Sequence, residues 1–254
     1  MLDLIIISGA SKGIGESVAF NCSNICKNII AIGSSDKIFD LNLKNKNCNL
    51  LKIKSDIKNY SLTSELIKES INNLGEIKSV GIVLCAAQLG SPGGIMDNDF
   101  SSWEEIYSSN VLGNLSIVKS VYNLILNGIK TRIVMFAGGG AAYGYPDFFG
   151  YSLTKTANVR AAENLSMEIE KINKNSSVIA LAPGAVATDM LAKVLASGAS
   201  VKTFTDISEP TNFIKKFLND DIDSLSLNGK FLHVRDDLSL INKQKDQFKL
   251  RRIE

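Results

Sequence analysis

The chain has 254 residues, of which 45% are hydrophobic and 21% are charged, so it can bury one large α/β core and is too apolar for a disordered protein. A formal net charge of +2 excludes the basic bias typical of nucleic-acid-binding proteins. No apolar run reaches the roughly 20 residues of a membrane span, and the first residues lack the basic start of a signal peptide. We therefore expect a cytoplasmic protein with neither a membrane nor a nucleic-acid partner.

The residues that most often bind metals are scarce. The chain has one histidine, His233, and four scattered cysteines, Cys22, Cys26, Cys48 and Cys85. This set offers few ligands for zinc, so we predict no metal site and mostly buried, reduced thiols.

The N-terminal stretch has the layout of a nucleotide-binding loop. Residues 4–7 form a continuous β-branched run, which is typical of a strand buried on both faces. The turn that follows contains Gly9, Ser11, Lys12, Gly13, Ile14 and Gly15, and apolar residues at helical spacing come next. Glycines permit a tight turn and a close approach of the backbone to a pyrophosphate, which would lie on the positive helix N-terminus. The alternative for a glycine-rich loop alone is a plain tight turn.

The end of the second predicted strand bears on the choice of cofactor. An acidic residue there would bind a ribose 2′-OH and favour NAD, but this strand ends in Gly33 and Ser34. Lys12 could neutralise a 2′-phosphate, although it could equally be a solvated loop charge. We therefore predict NADP as the preferred cofactor, with Ser34 near its ribose, while Asp36 keeps NAD possible.

Strands and helices then alternate along the chain. The further predicted strands are residues 28–32, 50–56, 80–85, 132–136, 177–182 and 230–234, and the helices include residues 62–74, 101–127 and 151–173. This alternation predicts a single-domain α/β Rossmann fold over residues 1–254, a doubly wound parallel sheet of seven strands with helices on both faces. Residues from about 237 onward form a charged tail. The apolar segment 190–205 is expected to cover the substrate pocket.

Tyr151 and Lys155 lie four residues apart, which places them on one face of a helix. A nearby positive charge favours the phenolate form, so we expect Lys155 to lower the pKa of Tyr151 into the range of acid–base catalysis. A tyrosine and a lysine at this spacing also occur by chance in many helices, so the pair needs its context.

That context resembles the short-chain dehydrogenase/reductase family over nearly the full length. The matching positions are Gly9-x-x-x-Gly13-x-Gly15, Asp56 after the third strand, Asn110 in the long helix, Tyr151-x-x-x-Lys155, and Pro183-Gly184 with Thr188. Each motif is modest alone, but their order and separations together identify the family.

The resemblance implies a role for each position. Tyr151 would give a proton to a carbonyl or take one from an alcohol, Lys155 would tune that phenol and hold the ribose, and Asn110 would anchor a relay water. Asp56 and Ile57 would contact the adenine. The nicotinamide would be lined by Cys85, Ala86, Ala87, Pro183, Gly184, Val186 and Thr188. The family also implies a homodimer or homotetramer, and a small-molecule carbonyl or alcohol substrate.

Two departures from the family pattern stand out. The serine expected thirteen residues before the tyrosine is Gly138, and the Asn-Asn-Ala-Gly after the fourth strand is Leu-Cys-Ala-Ala. Loss of one oxyanion donor typically costs on the order of 10²–10³ in rate. A substrate group, a backbone N–H of residues 138–140 or Tyr143 could replace the hydroxyl, or the enzyme is slow.

Two other functions therefore stay open. A catalytically weak NADP-binding protein would explain Gly138. A sugar-nucleotide-modifying enzyme is the other alternative, because the Gly-Gly-Gly-Ala run and the Leu-Arg-Arg-Ile ending resemble a bacterial subgroup associated with surface-polysaccharide and flagellin-sugar synthesis. In that case the substrate would be a sugar derivative.

Overall fold

The computed structural model describes residues 1–199, 201 and 203–241. The strands within these residues are β1 (Leu2–Ser8), β2 (Cys26–Gly33), β3 (Asn49–Lys54), β4 (Ser79–Leu84), β5 (Lys130–Phe136), β6 (Ser177–Ala182), β7 (Ala185–Val186), β8 (Phe204–Thr205) and β9 (Phe231–His233). Seven of them form one sheet in the order β3-β2-β1-β4-β5-β6-β9, and every neighbouring pair is parallel. This confirms the predicted seven-stranded parallel sheet. Strands β7 and β8 pair separately.

The helices are α1 (Gly13–Cys22), α2 (Tyr60–Asn72), α3 (Phe100–Tyr107), α4 (Asn114–Ser120), α5 (Tyr122–Leu126), α6 (Gly139–Ala142), α7 (Phe149–Ile172), α8 (Asp189–Ala196), α9 (Ser208–Leu218) and α10 (Leu238–Ile241). Short 3₁₀ turns cover Ser23–Ile25 and Asp36–Asp40.

Two apolar cores lie on opposite faces of the sheet. In β1 the side chains of Ile5 and Ile7 join one core and those of Leu4 and Ile6 join the other, as the period of a strand requires. Helices α1 and α9 cover the first face, and α2, α4 and α7 cover the second. This is the doubly wound arrangement expected for continuously apolar strands.

The strand order reverses between β1 and β4, which are neighbours in the sheet. In open α/β sheets, ligands bind in a crevice outside the carboxyl ends of the strands at such a reversal point. The predicted site residues lie at these strand ends.

The structure corrects the predicted helix over residues 101–127. Helix α3 ends at Tyr107, a π-helical turn covers Ser108–Gly113, and α4 and α5 follow with a break at Val121. Asn110 lies in the π-helical turn. Such turns relocate side chains within a helix and are frequent at functional sites. Helices α6, α8 and α9 and the β7–β8 pair are additional elements that the sequence analysis did not predict.

Candidate active site

The glycines of the β1–α1 loop permit close backbone contacts. Gly9 has φ +66°, and a Cβ there would lie 2.8 Å from the Cα of Ala86. A Cβ on Gly15 would lie 2.3 Å from the carbonyl oxygen of Gly9. Any side chain at these positions would push the loop away from β4 and from its own helix. The loop is therefore fixed at the carboxyl ends of β1 and β4, with the N-terminus of α1 facing the crevice.

Other residues of this loop differ in burial. Ser11, Gly13 and Ile14 are half-buried, and Ile14 packs on the core that contains α1. Lys12 is exposed, and its ammonium donates to Asp189 at the start of α8 over 2.9 Å. The structure thus connects the predicted nucleotide-binding loop to the start of α8, directly before the segment expected to cover the substrate pocket.

The tip of β2 exposes polar groups. Ser34 is exposed directly after Gly33, and Asp36 begins the 3₁₀ turn two residues later. The Asp36 carboxylate accepts from the Lys54 ammonium at 2.6 Å. Because this carboxylate is already paired with an ammonium, it is less available to accept a hydrogen bond from a ribose hydroxyl.

Asp56 and Ile57 follow β3 as predicted. Asp56 Oδ1 accepts from the Lys58 backbone N–H over 3.0 Å, which makes a local turn. Ile57 is buried and packs on Gly113, where a Cβ would lie 2.8 Å from its side chain. The exposed Asp56 carboxylate also pairs with the Lys58 ammonium, with 3.6 Å between Oδ2 and Nζ.

The end of β4 is secured by a polar bridge. Cys85, Ala86 and Ala87 are half-buried. The Ala86 N–H donates to Ser8 Oγ over 3.1 Å, and Asn114 Nδ2 donates to the Ala86 carbonyl over 2.9 Å. Small side chains on a fixed backbone leave room for a flat ligand at this strand end.

Asn110 is fully buried and holds two segments together. Its Oδ1 accepts from the Gln88 N–H at 2.7 Å, and its Nδ2 donates to the Gln88 carbonyl at 2.8 Å and to Thr154 Oγ1 at 3.1 Å. Asn158 Nδ2 donates to the carbonyls of Asn110 and Phe136 over 3.2 and 3.1 Å. The side chain of Asn110 is therefore occupied by protein, and a relay water would have to use another of its atoms.

Helix α7 brings Tyr151 and Lys155 together. The Lys155 Nζ lies 5.3 Å from the centre of the Tyr151 ring and donates to the Phe136 carbonyl over 3.2 Å. The Tyr151 hydroxyl contacts the Met190 sulfur of α8 at 3.5 Å. The predicted pair thus shares one face of the helix, next to the carboxyl end of β5.

Burial controls the acidity of this pair. It raises the pKa of the Tyr151 phenol above its ordinary value, and the neighbouring Tyr145 raises it further. Burial also lowers the pKa of Lys155 to about 8. The expected lowering of the tyrosine pKa is therefore wrong for this structure. The desolvation of the phenol outweighs the attraction of an ammonium that is itself destabilised and lies over the ring.

The segment after β6 completes the rim of the crevice. Gly184 has φ +77° and is exposed, Pro183 is half-buried, and Val186 is buried in β7. Thr188 Oγ1 donates to the Val186 carbonyl at 3.2 Å, and its methyl group lies near Gly13. The structure therefore brings the predicted nicotinamide segment against the nucleotide-binding loop.

Sequence reasoning missed Tyr145. It belongs with Tyr151 and Met190 to an apolar cluster that also contains Leu89, Phe148, Leu191 and Val194. Tyr143, which the sequence suggested as a replacement for the missing serine, is 49% exposed and lies outside that cluster. The only sequence signal for Tyr145 is an aromatic residue six positions before Tyr151.

The part of the chain that the structure describes contains neither a membrane-spanning helix nor a metal cluster. Its helices include none with the length and apolarity needed to traverse a bilayer. Its histidine, cysteine and acidic side chains form no group of three or more that could hold a metal ion.

Two curated proteins are similar to this chain in sequence. A probable tetrahydroxynaphthalene reductase of Zymoseptoria tritici is 24% identical over 191 residues, which cover 73% of this chain and 68% of that protein. A 3-oxoacyl-[acyl-carrier-protein] reductase of Staphylococcus epidermidis is 24% identical over 189 residues, with 73% and 75% covered.

A crystal structure of NAD⁺-bound xylitol dehydrogenase has the same fold. It superposes with a TM-score of 0.81 at 18% identity and covers 91% of this chain and 96% of that one. The family model for short chain dehydrogenases matches residues 3–198. The protein described here belongs to the short-chain dehydrogenase family of oxidoreductases.

Proposed function

We propose that this protein is an NAD(P)-dependent oxidoreductase that transfers a hydride between a nicotinamide and a carbonyl or secondary alcohol, with Tyr151 handling the proton. The observation that carries the proposal is the position of Tyr151 and Lys155. They lie together at the carboxyl ends of the strands, where the strand order reverses and the glycine loop faces Thr188.

The residues present fit a dinucleotide. Gly9 and Gly15 leave no room for side chains, so backbone N–H groups at the N-terminus of α1 can approach a pyrophosphate. Lys155 is buried with an ammonium whose described acceptor is one carbonyl, and it has further protons to offer ribose hydroxyls. When bound, the nicotinamide would supply or accept the hydride.

Tyr151 is protonated at neutral pH, as an ordinary tyrosine is, so it can donate to a carbonyl oxygen. Burial raises its pKa, which makes it a weaker acid until the site changes around it. Lys155, with a pKa near 8, is close enough in acidity to neutral pH to return a proton to the phenol after each turnover. Asn110 would hold the Gln88 loop against α7 beside these two residues.

Charge around the β2 tip supports NADP. The Asp189 carboxylate is bonded to Lys12, and Lys37 and Lys193 also lower its pKa, so several cations gather here. Ser34 adds a hydroxyl, and Asp36 is paired with Lys54. A 2′-phosphate at this edge would compete with the carboxylates of Asp189 and Asp36 for Lys12 and Lys54, and Lys37 adds a further cation.

The surroundings of Tyr151 favour a carbonyl attached to an apolar body. The apolar cluster that contains Tyr151 also includes Leu89, Phe148, Leu191 and Val194. The hypothesis of a sugar substrate relied partly on the Leu-Arg-Arg-Ile segment at residues 250–253, which lies outside the described residues. Among the described residues, this apolar cluster supports aromatic or aliphatic ketones as substrates.

Two measurements test the proposal. Fluorescence titration should show NADPH binding more tightly than NADH, and Lys12→Ala should weaken NADPH by roughly tenfold while leaving NADH unchanged. Lys68→Ala, an exposed lysine of α2, serves as the control. Reduction of phenanthrenequinone, benzil and ethyl benzoylformate should fall roughly 10²- to 10⁴-fold in Tyr151→Phe. Failure to bind either nucleotide would contradict the proposal.

One observation favours a second candidate. Gly138 supplies no hydroxyl where the family resemblance expects one, so a nucleotide-binding protein with little catalytic power would have this sequence. It predicts normal NADPH binding with no turnover that depends on Tyr151.

A further inference from the structure

The loop after β5 has no side chain where the family resemblance expects a serine. Gly138 has φ 168°, an extended conformation that any residue can adopt. A Cβ built on Gly138 meets no atom within 4 Å, and the same holds for Gly139. The position is thus open, and neither strain nor crowding requires a glycine there.

Tyr145 is a half-buried aromatic residue close to this loop. Its ring packs on Phe148 with 5.4 Å between the ring centres, and both belong to the cluster around Tyr151. Gly140 lies against that ring, because a Cβ there would lie 3.5 Å from Tyr145 Cδ1 and 2.9 Å from Ser152 Cβ. The Gly140 backbone therefore lies close to the Tyr145 ring, which is half-buried in the apolar cluster.

Tyr145 affects the acidity of Tyr151. Burial is the main reason for the raised pKa of Tyr151, and Tyr145 adds to it. Burial likewise raises the pKa of Tyr145, with Asp147 adding to the effect. Tyr145 therefore keeps its proton at neutral pH and remains a hydrogen-bond donor.

We propose that the Tyr145 hydroxyl takes the place of the missing serine and donates a hydrogen bond to the substrate carbonyl oxygen. This inference rests on the proposed function. As the carbonyl carbon accepts a hydride from the reduced nicotinamide, the oxygen takes a proton from Tyr151, which gives an alcohol, the oxidised nicotinamide and a phenolate. Tyr145 keeps its own proton and stabilises the charge that develops on the oxygen.

Steady-state reduction of the three carbonyl probes by NADPH tests this role. Tyr145→Phe keeps the ring packing and removes only the hydroxyl, so we expect kcat/KM to fall roughly 100-fold with NADPH affinity unchanged. Tyr143→Phe removes a phenol from the same loop outside the cluster and should stay within about threefold of the wild type.

A rescue experiment separates catalysis from packing. Gly138→Ser in the Tyr145→Phe background should recover at least about tenfold in kcat/KM, because it restores a hydroxyl at the open position. Gly139→Ser is sterically matched and should recover nothing. A structural role for the Tyr145 hydroxyl would not respond to a serine at residue 138.

The outcomes distinguish the two proposals. If Tyr151→Phe abolishes turnover but Tyr145→Phe stays within about threefold of the wild type, the role of Tyr145 is refuted and the proposed function stands. A Tyr145→Phe loss that only Gly139→Ser repairs also refutes it. If the wild type reduces none of the probes, or Tyr151→Phe reduces them normally, the proposed function fails and this inference fails with it.

Discussion

Replacing Asn110 by alanine should destabilise the protein by about 3 kcal/mol, since three side-chain hydrogen bonds are lost and each contributes about 1 kcal/mol net. Two of them join the Asn110 amide to the backbone of Gln88 at 2.7 and 2.8 Å, and the third reaches Thr154 at 3.1 Å. Gln88 is exposed, so water can reach its backbone after the substitution, which limits the loss. This cost is a large share of the 5–15 kcal/mol typical of a folded domain.

Urea unfolding monitored by circular dichroism measures the effect. Asn123→Ala, at an exposed position of α5, is the control and should change the free energy of unfolding by less than about 0.5 kcal/mol. The affinity for NADPH should fall as well, because Gln88 directly follows Cys85, Ala86 and Ala87, which are expected to line the nicotinamide. A loss below about 1 kcal/mol for Asn110→Ala would show that the hydrogen bonds to Gln88 are not formed in solution.

Two other predictions concern stability. Burial alone would raise the pKa of Asp3, but hydrogen bonds led by that of Lys27 outweigh it and hold the pKa below the ordinary 3.8. Asp3→Asn should therefore lower the free energy of unfolding by about 2 kcal/mol at neutral pH. The difference between the variant and the wild type, measured by urea unfolding, should shrink as the pH falls below about 4. A difference that stays constant would contradict this. Gly184→Ala should lower the melting temperature, because φ is +77° and the new Cβ would lie 2.1 Å from Thr205 Oγ1. Thr205→Ala alone should change the melting temperature little, and in the Gly184→Ala background it should restore part of the loss. If it restores nothing, the predicted clash is contradicted.

Much of the fold could be predicted because its strands are buried on both faces. Such strands read as continuous apolar runs, and residues 28–32, 80–85, 132–136 and 177–182 match β2, β4, β5 and β6 closely. The sequence of helix α9 also has features that are typical of a helix. Pro210 lies in its first turn, and Phe213, Ile214, Phe217 and Leu218 follow at helical spacing.

The broken helix around Asn110 could not be read from the sequence. The apolar stripe runs on through residues 101–127 without a proline, so local propensity favours one continuous helix. The π-helical turn is compatible with the Asn110 contacts to Gln88 and Thr154, which are 22 and 44 residues away in the chain. Contacts at that separation are tertiary, and no local pattern encodes them.

The acidity of Tyr151 shows the same limit in the site. The spacing of Tyr151 and Lys155 correctly predicted that the two side chains share a face, but it could not predict how deeply both are buried. Desolvation favours the neutral form of each partner, so burial raises the pKa of Tyr151 and lowers the pKa of Lys155. In the proposed reaction, a second donor would hold the substrate carbonyl oxygen close to the Tyr151 hydroxyl, so that the oxygen can accept the Tyr151 proton. Gly138 has no hydroxyl, and the only phenol besides Tyr151 among the described residues of the apolar cluster is Tyr145. The proposed chemistry therefore uses two tyrosines six residues apart.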